Sequence, residues 1–170
     1  MILTGMEIIK QVHEGKIMID PFDEKFVNPN SYNYHLGSKI KIAPIGTVDA
    51  RERQIWTEVD IPDSGFLLLP SRFYLGHTVE MIGSHFFVTS LIGRSSVGRL
   101  GLYLQLSADL GQLGAIHSWT LEMKVIQPLW IYKGMVIGQV SFWLPLGEIF
   151  LYEGQYGNSN FPLESQVFPL

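Results

Sequence analysis

The chain of 170 residues contains no cysteine. That excludes disulfides, thiol nucleophiles and cysteine-ligated zinc. Charge is also scarce: 16% of residues are charged while 46% are apolar. This is a low charged fraction for a globular domain. The surplus apolar surface suits burial between subunits, since obligate oligomer interfaces are more hydrophobic than ordinary surface. The net charge is −4, with no long basic run, which argues against non-specific nucleic-acid binding. No window approaches the roughly 18 continuous apolar residues of a membrane span. The start, Met1-Ile2-Leu3-Thr4-Gly5, lacks a charged segment followed by an apolar one. No membrane association is expected, and the expected location is the cytoplasm. The histidines, His13, His35, His77, His85 and His117, show no i, i+4 metal spacing. They read as core or surface residues. His117 alone is set apart, because it lies five residues before Glu122.

What is present reads as one domain over residues 1–170. Thr4-Gly5-Met6-Glu7 fits a capping box, in which Thr4 accepts an amide three residues on and Glu7 reaches back. Ile8, Ile9 and Val12 follow at near-helical spacing, and Gly15 can stop the helix in the left-handed region. This predicts one short helix over roughly 5–14. The period then becomes two. Tyr32, Tyr34 and Leu36 alternate, continued by Ile40 and Ile42, and so do Ile55, Thr57, Val59 and Ile61. Further alternating sets are Leu102, Leu104 and Leu106; Trp119, Leu121, Met123 and Val125; and Val136, Val140, Phe142 and Leu144. Phe66–Leu69 and Phe86–Val88 are short continuous apolar runs, which suit strands buried on both faces. With 17 glycines and 9 prolines as punctuation, the pattern is all-β: a sandwich or barrel with one N-terminal helix. From about Tyr152 the chain is polar, aromatic and aperiodic, and reads as an extended arm that a ligand or a neighbouring subunit would order. Trp119, Trp130 and Trp143 are expected to pack the barrel or a subunit interface.

One segment stands out chemically. Arg94-Ser95-Ser96 is preceded by a glycine and followed by Gly98, Arg99 and Gly101. Guanidinium forks, hydroxyls and closely spaced amides at a strand-to-loop junction can hold phosphate. Glu122, taken alone, is an ordinary strand carboxylate.

The run Ile92-Gly93-Arg94-Ser95-Ser96-Val97-Gly98-Arg99-Leu100-Gly101-Leu102 resembles the most characteristic motif of dCTP deaminases. Its Arg-Ser-Ser core resembles one shared with trimeric dUTPases. Four other stretches resemble the family in the same order: Ile2–Pro21, Asn28–Gly37 with its Ser31-Tyr32-Asn33, Thr120-Leu121-Glu122, and Lys133–Gln139. The chain is therefore similar to the dCTP deaminase/dUTPase superfamily along most of its length, and closer to the deaminases.

The resemblance implies a distorted β-barrel or jelly roll of the dUTPase-like type. It implies a homotrimer with active sites between subunits, and zinc-independent hydrolytic deamination of a cytosine deoxynucleotide. The expected reaction is dCTP to dUTP plus ammonia, by a hydrolase acting on a cyclic amidine C–N bond. Glu122 matches the catalytic glutamate, and Arg99 an arginine near the reacting centre. Arg94, Ser95 and Ser96 match phosphate-contacting positions. Ala108 matches a small residue beside the pyrimidine. Magnesium is implied only as a companion of the nucleotide phosphates.

Four departures qualify the match. An aspartate of the family becomes Asn33, and an arginine position becomes Leu110. A second aspartate, which contacts the deoxyribose and in dUTPases activates the hydrolytic water, becomes Gln112. The arm carries Gln155-Tyr156 where a Lys-Tyr pair is usual, so Gln112 and Tyr156 remain only as substrate-binding candidates. The lost aspartates argue against dUTP diphosphatase activity. Together the departures leave open a member that binds a nucleotide or a protein without turnover.

Overall fold

A computed structural model describes residues 1–105, 107–154 and 161–166. Helix α1 (Gly5–His13) forms where the apolar spacing places it. The Thr4 hydroxyl accepts from the Glu7 amide at 3.4 Å. The Glu7 carboxylate does not turn back to close the box; it accepts from Gln11 Nε2 at 2.6 Å. At the other end Gly15 takes φ +71°. There the Gly15 and Lys16 amides donate back to the Val12 and Gln11 carbonyls, closing the helix as the glycine predicts.

Thirteen strands follow among the described residues: β1 (Met18–Asp20), β2 (Val27–Asn28), β3 (Ser31–His35), β4 (Lys39–Ile42), β5 (Thr57–Asp60), β6 (Phe66–Leu68), β7 (Tyr74–Gly83), β8 (Val88–Gly93), β9 (Leu102–Leu104), β10 (Leu110–Gly111), β11 (Ile116–Val125), β12 (Leu129–Ile131) and β13 (Val136–Trp143). One sheet runs β5-β4-β7-β11-β9, with β1 also on β7; a second runs β10-β8-β13-β3-β2; β6 and β12 form a ribbon. Their inner faces share one core. Tyr32, Tyr34, Leu91, Val140 and Phe142 come from the second sheet, and Ile40, Ile82, Leu121, Met123 and Val125 from the first. Neither sheet closes on itself. Of the two expected forms, the jelly-roll sandwich is the one adopted.

The centre of the larger sheet is a strand that period two does not reveal. β7 pairs with β1, β4 and β11, yet its sequence from Tyr74 to Gly83 includes Gly76, His77, Thr78 and Glu80, all buried. A strand covered on both faces does not alternate. Its polar groups are satisfied internally: His77 Nδ1 lies 3.0 Å from the Thr78 carbonyl, and the Thr78 hydroxyl donates to the Glu80 carbonyl at 2.7 Å. Three expectations shift in the opposite direction. β8 begins only at Val88, and Phe86 before it is half exposed, so Phe86–Val88 is not a doubly buried strand. Ile55 lies outside β5 and is exposed. The segment after Gly93 is a single helical turn, α2 (Ser95–Gly98), rather than an open loop.

Candidate active site

β11 separates its chemistry by face. Leu121, Met123 and Val125 point into the core and are fully buried. Thr120 and Glu122 alternate with them and line a cavity of about 530 Å³. That volume falls within the range of small-molecule sites. The opposite register partners of Thr120 and Glu122 are His77 and Leu75 on β7. Around the rim and walls stand Trp56, Phe73, Gln105, Ala108, Leu110, Gln112 and His117, and the chain's own Leu163–Ser165.

Trp119 departs from its expected place. By alternation it belongs with Leu121 on the core side. The β11–β7 register slips between Ser118, opposite Met81, and Thr120, opposite His77. Three residues of β7 therefore face one of β11, and the local bulge re-aims the side chain. The Thr78 hydroxyl accepts from the Trp119 amide at 2.9 Å, and the indole Nε1 donates to the Ile82 carbonyl at 2.8 Å. The ring thus lines the cavity as well as touching the core. Gly111 makes room for it: a Cβ there would lie 1.9 Å from Thr89 Oγ1 and 2.6 Å from the indole edge. Trp130 and Trp143 are partly exposed in the single chain.

His117 lies against Trp119, ring centroids 4.3 Å apart and tilted by 33°. Burial lowers its pKa, partly opposed by the contact with the Ser118 carbonyl. Nδ1 sits 3.0 Å from that carbonyl and so carries the proton of the neutral ring. A neutral imidazole on the cavity wall offers Nε2 as an acceptor.

Two carboxylates line the cavity, in different states. Glu164 is held by Lys41 and by Arg53, whose Nη2 is 3.6 Å away. Burial alone would raise its pKa; the Lys41 hydrogen bond, a backbone hydrogen bond, the Lys41 charge and Arg53 together lower it. Glu122 is half-buried, and its carboxylate has no hydrogen-bond or ion-pair partner among the described residues. Its main chain, by contrast, is tightly held. Gln105 Oε1 accepts from the Glu122 amide at 2.7 Å, and the Gln105 amide donates to the Glu122 carbonyl at 3.2 Å. Gln105 Nε2 donates to the Ala108 carbonyl at 3.1 Å. Gln105 also has φ +49° and is the one non-glycine residue at positive φ among those described. Such a conformation costs on the order of 1 kcal/mol or more.

The structure thus gathers Glu122, Ala108, Leu110, Gln112 and His117 into one cavity. It leaves Arg94, Ser95, Ser96 and Arg99 outside. All four are exposed on or beside α2, and none lines the cavity. Their side chains make no hydrogen bond or ion pair among the described residues. Tyr156 lies outside the described residues. Asn33 is remote from the cavity: it is buried in β3 and donates from Nδ2 to Asn28 Oδ1 at 3.3 Å. Part of the C-terminal arm covers the cavity of its own chain, where the Leu163 amide donates to Thr120 Oγ1 at 3.0 Å.

Sequence reasoning missed Gln105, Trp56, Phe73 and Leu163–Ser165. Gln105 lies between two leucines and reads as the outward polar residue of a strand; nothing in its neighbours announces its backbone conformation. Among the described residues no three His, Asp or Glu side chains stand close enough to hold a metal ion.

The fold and site together define a β-sandwich with a ligand-sized, largely apolar cavity and, on its wall, one carboxylate unpaired among the described residues. Residues 2–144 match the family model for dCTP deaminase-like proteins. Two curated relatives are named "dCTP deaminase, dUMP-forming". One is from Leptospira biflexa, 41% identical over 157 residues, 92% of this chain and 90% of that protein. The other is from Clostridium botulinum, 40% identical over 161 residues, 94% and 92% of the two chains. The fold is similar to the crystal structure of 2′-deoxycytidine 5′-triphosphate deaminase from Agrobacterium tumefaciens. The TM-score is 0.66 at 20% identity, covering 85% of this chain and about half, 48%, of that one. The chain belongs to the dCTP deaminase-like family. Among the described residues no helix is long and apolar enough to cross a membrane.

Proposed function

We propose that the protein hydrolytically deaminates dCTP, with Glu122 as the proton carrier and dUMP as the end product. The observation that carries this reading is the unpaired Glu122 carboxylate on the wall of a cavity of about 530 Å³. A carboxylate with no competing cation is free to accept a proton from water. The hydroxide so formed adds to C4 of the cytosine ring. Glu122 then returns the proton to the departing amino group, the C4–N bond breaks, and ammonia and a uracil nucleotide remain. The reaction is that of a hydrolase on a cyclic amidine C–N bond. Ala108 and the apolar walls suit the base, and Gln112 and His117 offer neutral hydrogen-bonding groups to the sugar.

The end product is taken from the relatives, whose names carry the reaction to dUMP; reaching it requires a second water to cleave the α–β phosphoanhydride of dUTP, with pyrophosphate as the leaving group. This goes beyond the dUTP that the residue replacements suggest, since Gln112 cannot act as a base. A second reading therefore stops at dUTP.

The phosphates need cations, and the described lining of the cavity contains no Lys or Arg. Arg94, Ser95, Ser96 and Arg99 stand exposed elsewhere on the same chain, without side-chain partners among the described residues. A homotrimer in which one copy offers this group to the cavity of the next would complete the site, with Tyr156 from the arm beside it. Magnesium would arrive with the triphosphate. Activity on a free nucleotide suits a single-domain cytoplasmic enzyme.

Purified protein is incubated with dCTP and magnesium, and ammonia and nucleotides are followed by ion-exchange chromatography. Ammonia, pyrophosphate and dUMP are expected. Accumulating dUTP would confine the activity to the first step. Absence of ammonia from both dCTP and dCMP would refute the deaminase reading. A monomeric mass by light scattering would refute the shared site.

A further inference from the structure

We infer that Gln105 is a positioning residue for the deamination, acting by holding Glu122 through its main chain; this rests on Glu122 being the proton carrier. β9 and β11 pair regularly from Val125↔Leu102 to Met123↔Leu104. The next pair would be Glu122 with Gln105. In a regular antiparallel ladder, two such residues exchange both N–H···O=C bonds. Here only one remains regular, Gln105 N–H to the Glu122 carbonyl at 3.2 Å. The other donor, the Glu122 N–H, is met at 2.7 Å by the Gln105 side-chain oxygen. At φ +49° the chain turns out of the ladder, and the side-chain amide stands in for the carbonyl.

The same amide does a second job. Its Nε2 donates to the Ala108 carbonyl at 3.1 Å and so ties Ala108 to β11 through Gln105. Both Gln105 and Ala108 line the cavity. One side chain thus links the base of Glu122 to the wall beside it, and it does so from a backbone conformation that glycine would adopt without strain. Strain of this kind persists where the surroundings require that particular side chain. General acid–base chemistry depends on placement, and a displacement near 1 Å can cost on the order of 100-fold in rate.

The test separates placement from stability. In Gln105→Gly the backbone strain is relieved and the amide removed. Its melting temperature is expected to stay within a few degrees of the parent's, because relieved strain offsets part of the two hydrogen bonds lost, while kcat on dCTP falls by about 30- to 100-fold and KM stays within threefold. Gln105→Met, similar in shape and without hydrogen bonds, is expected to lose kcat to a similar extent. Gln105→Glu keeps an acceptor for the Glu122 amide and sets a negative charge near its carboxylate. It is expected to recover part of the Gly variant's loss and to move the acid limb of the kcat profile to higher pH. Activity within threefold of the parent in both the Gly and Met variants overturns the inference. So does a loss carried by KM alone, or one that only follows the folded fraction. If the parent releases no ammonia from dCTP, the deaminase reading fails separately. Amide hydrogen exchange then decides the placement: loss of Glu122 N–H protection in Gln105→Gly upholds it, and unchanged protection overturns it.

Discussion

Glu80 and Glu122 lie on adjacent strands of one sheet and have opposite surroundings. Glu80 on β7 is 1% exposed. Its carboxylate accepts from the His35 amide at 2.9 Å and meets the His35 ring, joining the two sheets. Glu122 on β11 is half-buried, and its carboxylate is unpartnered among the described residues. Every acceptor site on Glu80 that is used is used by the protein itself. Those on Glu122 remain for a ligand or water. The difference is one of partners: Glu80 is satisfied within the protein, whereas the Glu122 carboxylate faces a cavity without a partner among the described residues.

The largest expected effect tests the ligand-facing member. Glu122→Gln should lower kcat for deamination by on the order of 10⁴-fold, with the melting temperature unchanged within about 2 °C. Steady-state ammonia release and thermal unfolding measure the two sides. Glu80→Ala should do the reverse. Removing one partner of a buried pair costs roughly 3 kcal/mol. For a chain of this size that lowers the melting temperature by about 6–12 °C. Activity per folded molecule should remain within a few-fold. A Glu80→Ala protein that is inactive but fully stable would break the comparison.

Next in size is the exposed cationic segment. Arg94→Ala and Arg99→Ala should each weaken dCTP binding by about 10- to 100-fold, the scale of one lost charge-assisted contact. Deoxycytidine, which has no phosphate, should bind parent and variants alike. Isothermal titration with the two ligands checks this, and an equal loss for both would remove these arginines from phosphate binding.

Acidification should give a smaller effect. Burial, first among the causes, lowers the pKa of both His77 and His117. The folded state therefore binds fewer protons than the unfolded chain, whose histidines titrate near about 6.5. Stability is fully present above that value and declines as pH falls through it toward the folded pKa values. Melting temperatures should be level from about pH 7 to 8 and fall below about pH 6.5. His117→Phe should flatten part of that slope, whereas the same slope in His117→Phe and the parent would exclude His117 as a source. Smallest is the clasp of Glu164 to Lys41 and Arg53. Glu164→Gln should change stability by about 0.5 kcal/mol, as for a partly exposed pair, and KM by less than about threefold; calorimetry and initial rates read both.

Legibility followed the kind of order each segment carries. The helix was readable from Thr4, Ile8, Val12 and Gly15 because its cap, stripe and stop are local. β11 was readable from Leu121, Met123 and Val125 because one face is wholly apolar and the other is not. β7 was not, because a strand buried on both faces with polar groups satisfied by its neighbours has no period. Trp119 packs against the core as expected, but its second contact, with the cavity, was not legible because alternation presumes an unbroken register and the chain slips opposite Thr78–Glu80. Glu122, Ala108, Leu110, Gln112 and His117 were noted in sequence for different reasons, and the approach of β11, paired with β7, to β10, paired with β8, gathers them. Gln105 carried no signal, since its role lies in a dihedral angle.

The sequence by itself determined the all-β class, the resemblance to the family and the absence of thiol chemistry. These follow from composition, periodicity and collinear motifs, which are properties of the chain in order. Tertiary structure alone decided that the Glu122 carboxylate has no partner among the described residues while that of Glu80 has one. It also decided that Arg94 and Arg99 stand apart from the cavity of their own chain, and that Gln105, at positive φ, bonds the Glu122 main chain. Those are outcomes of which surfaces meet, and long-range contacts between strands are what bring them together.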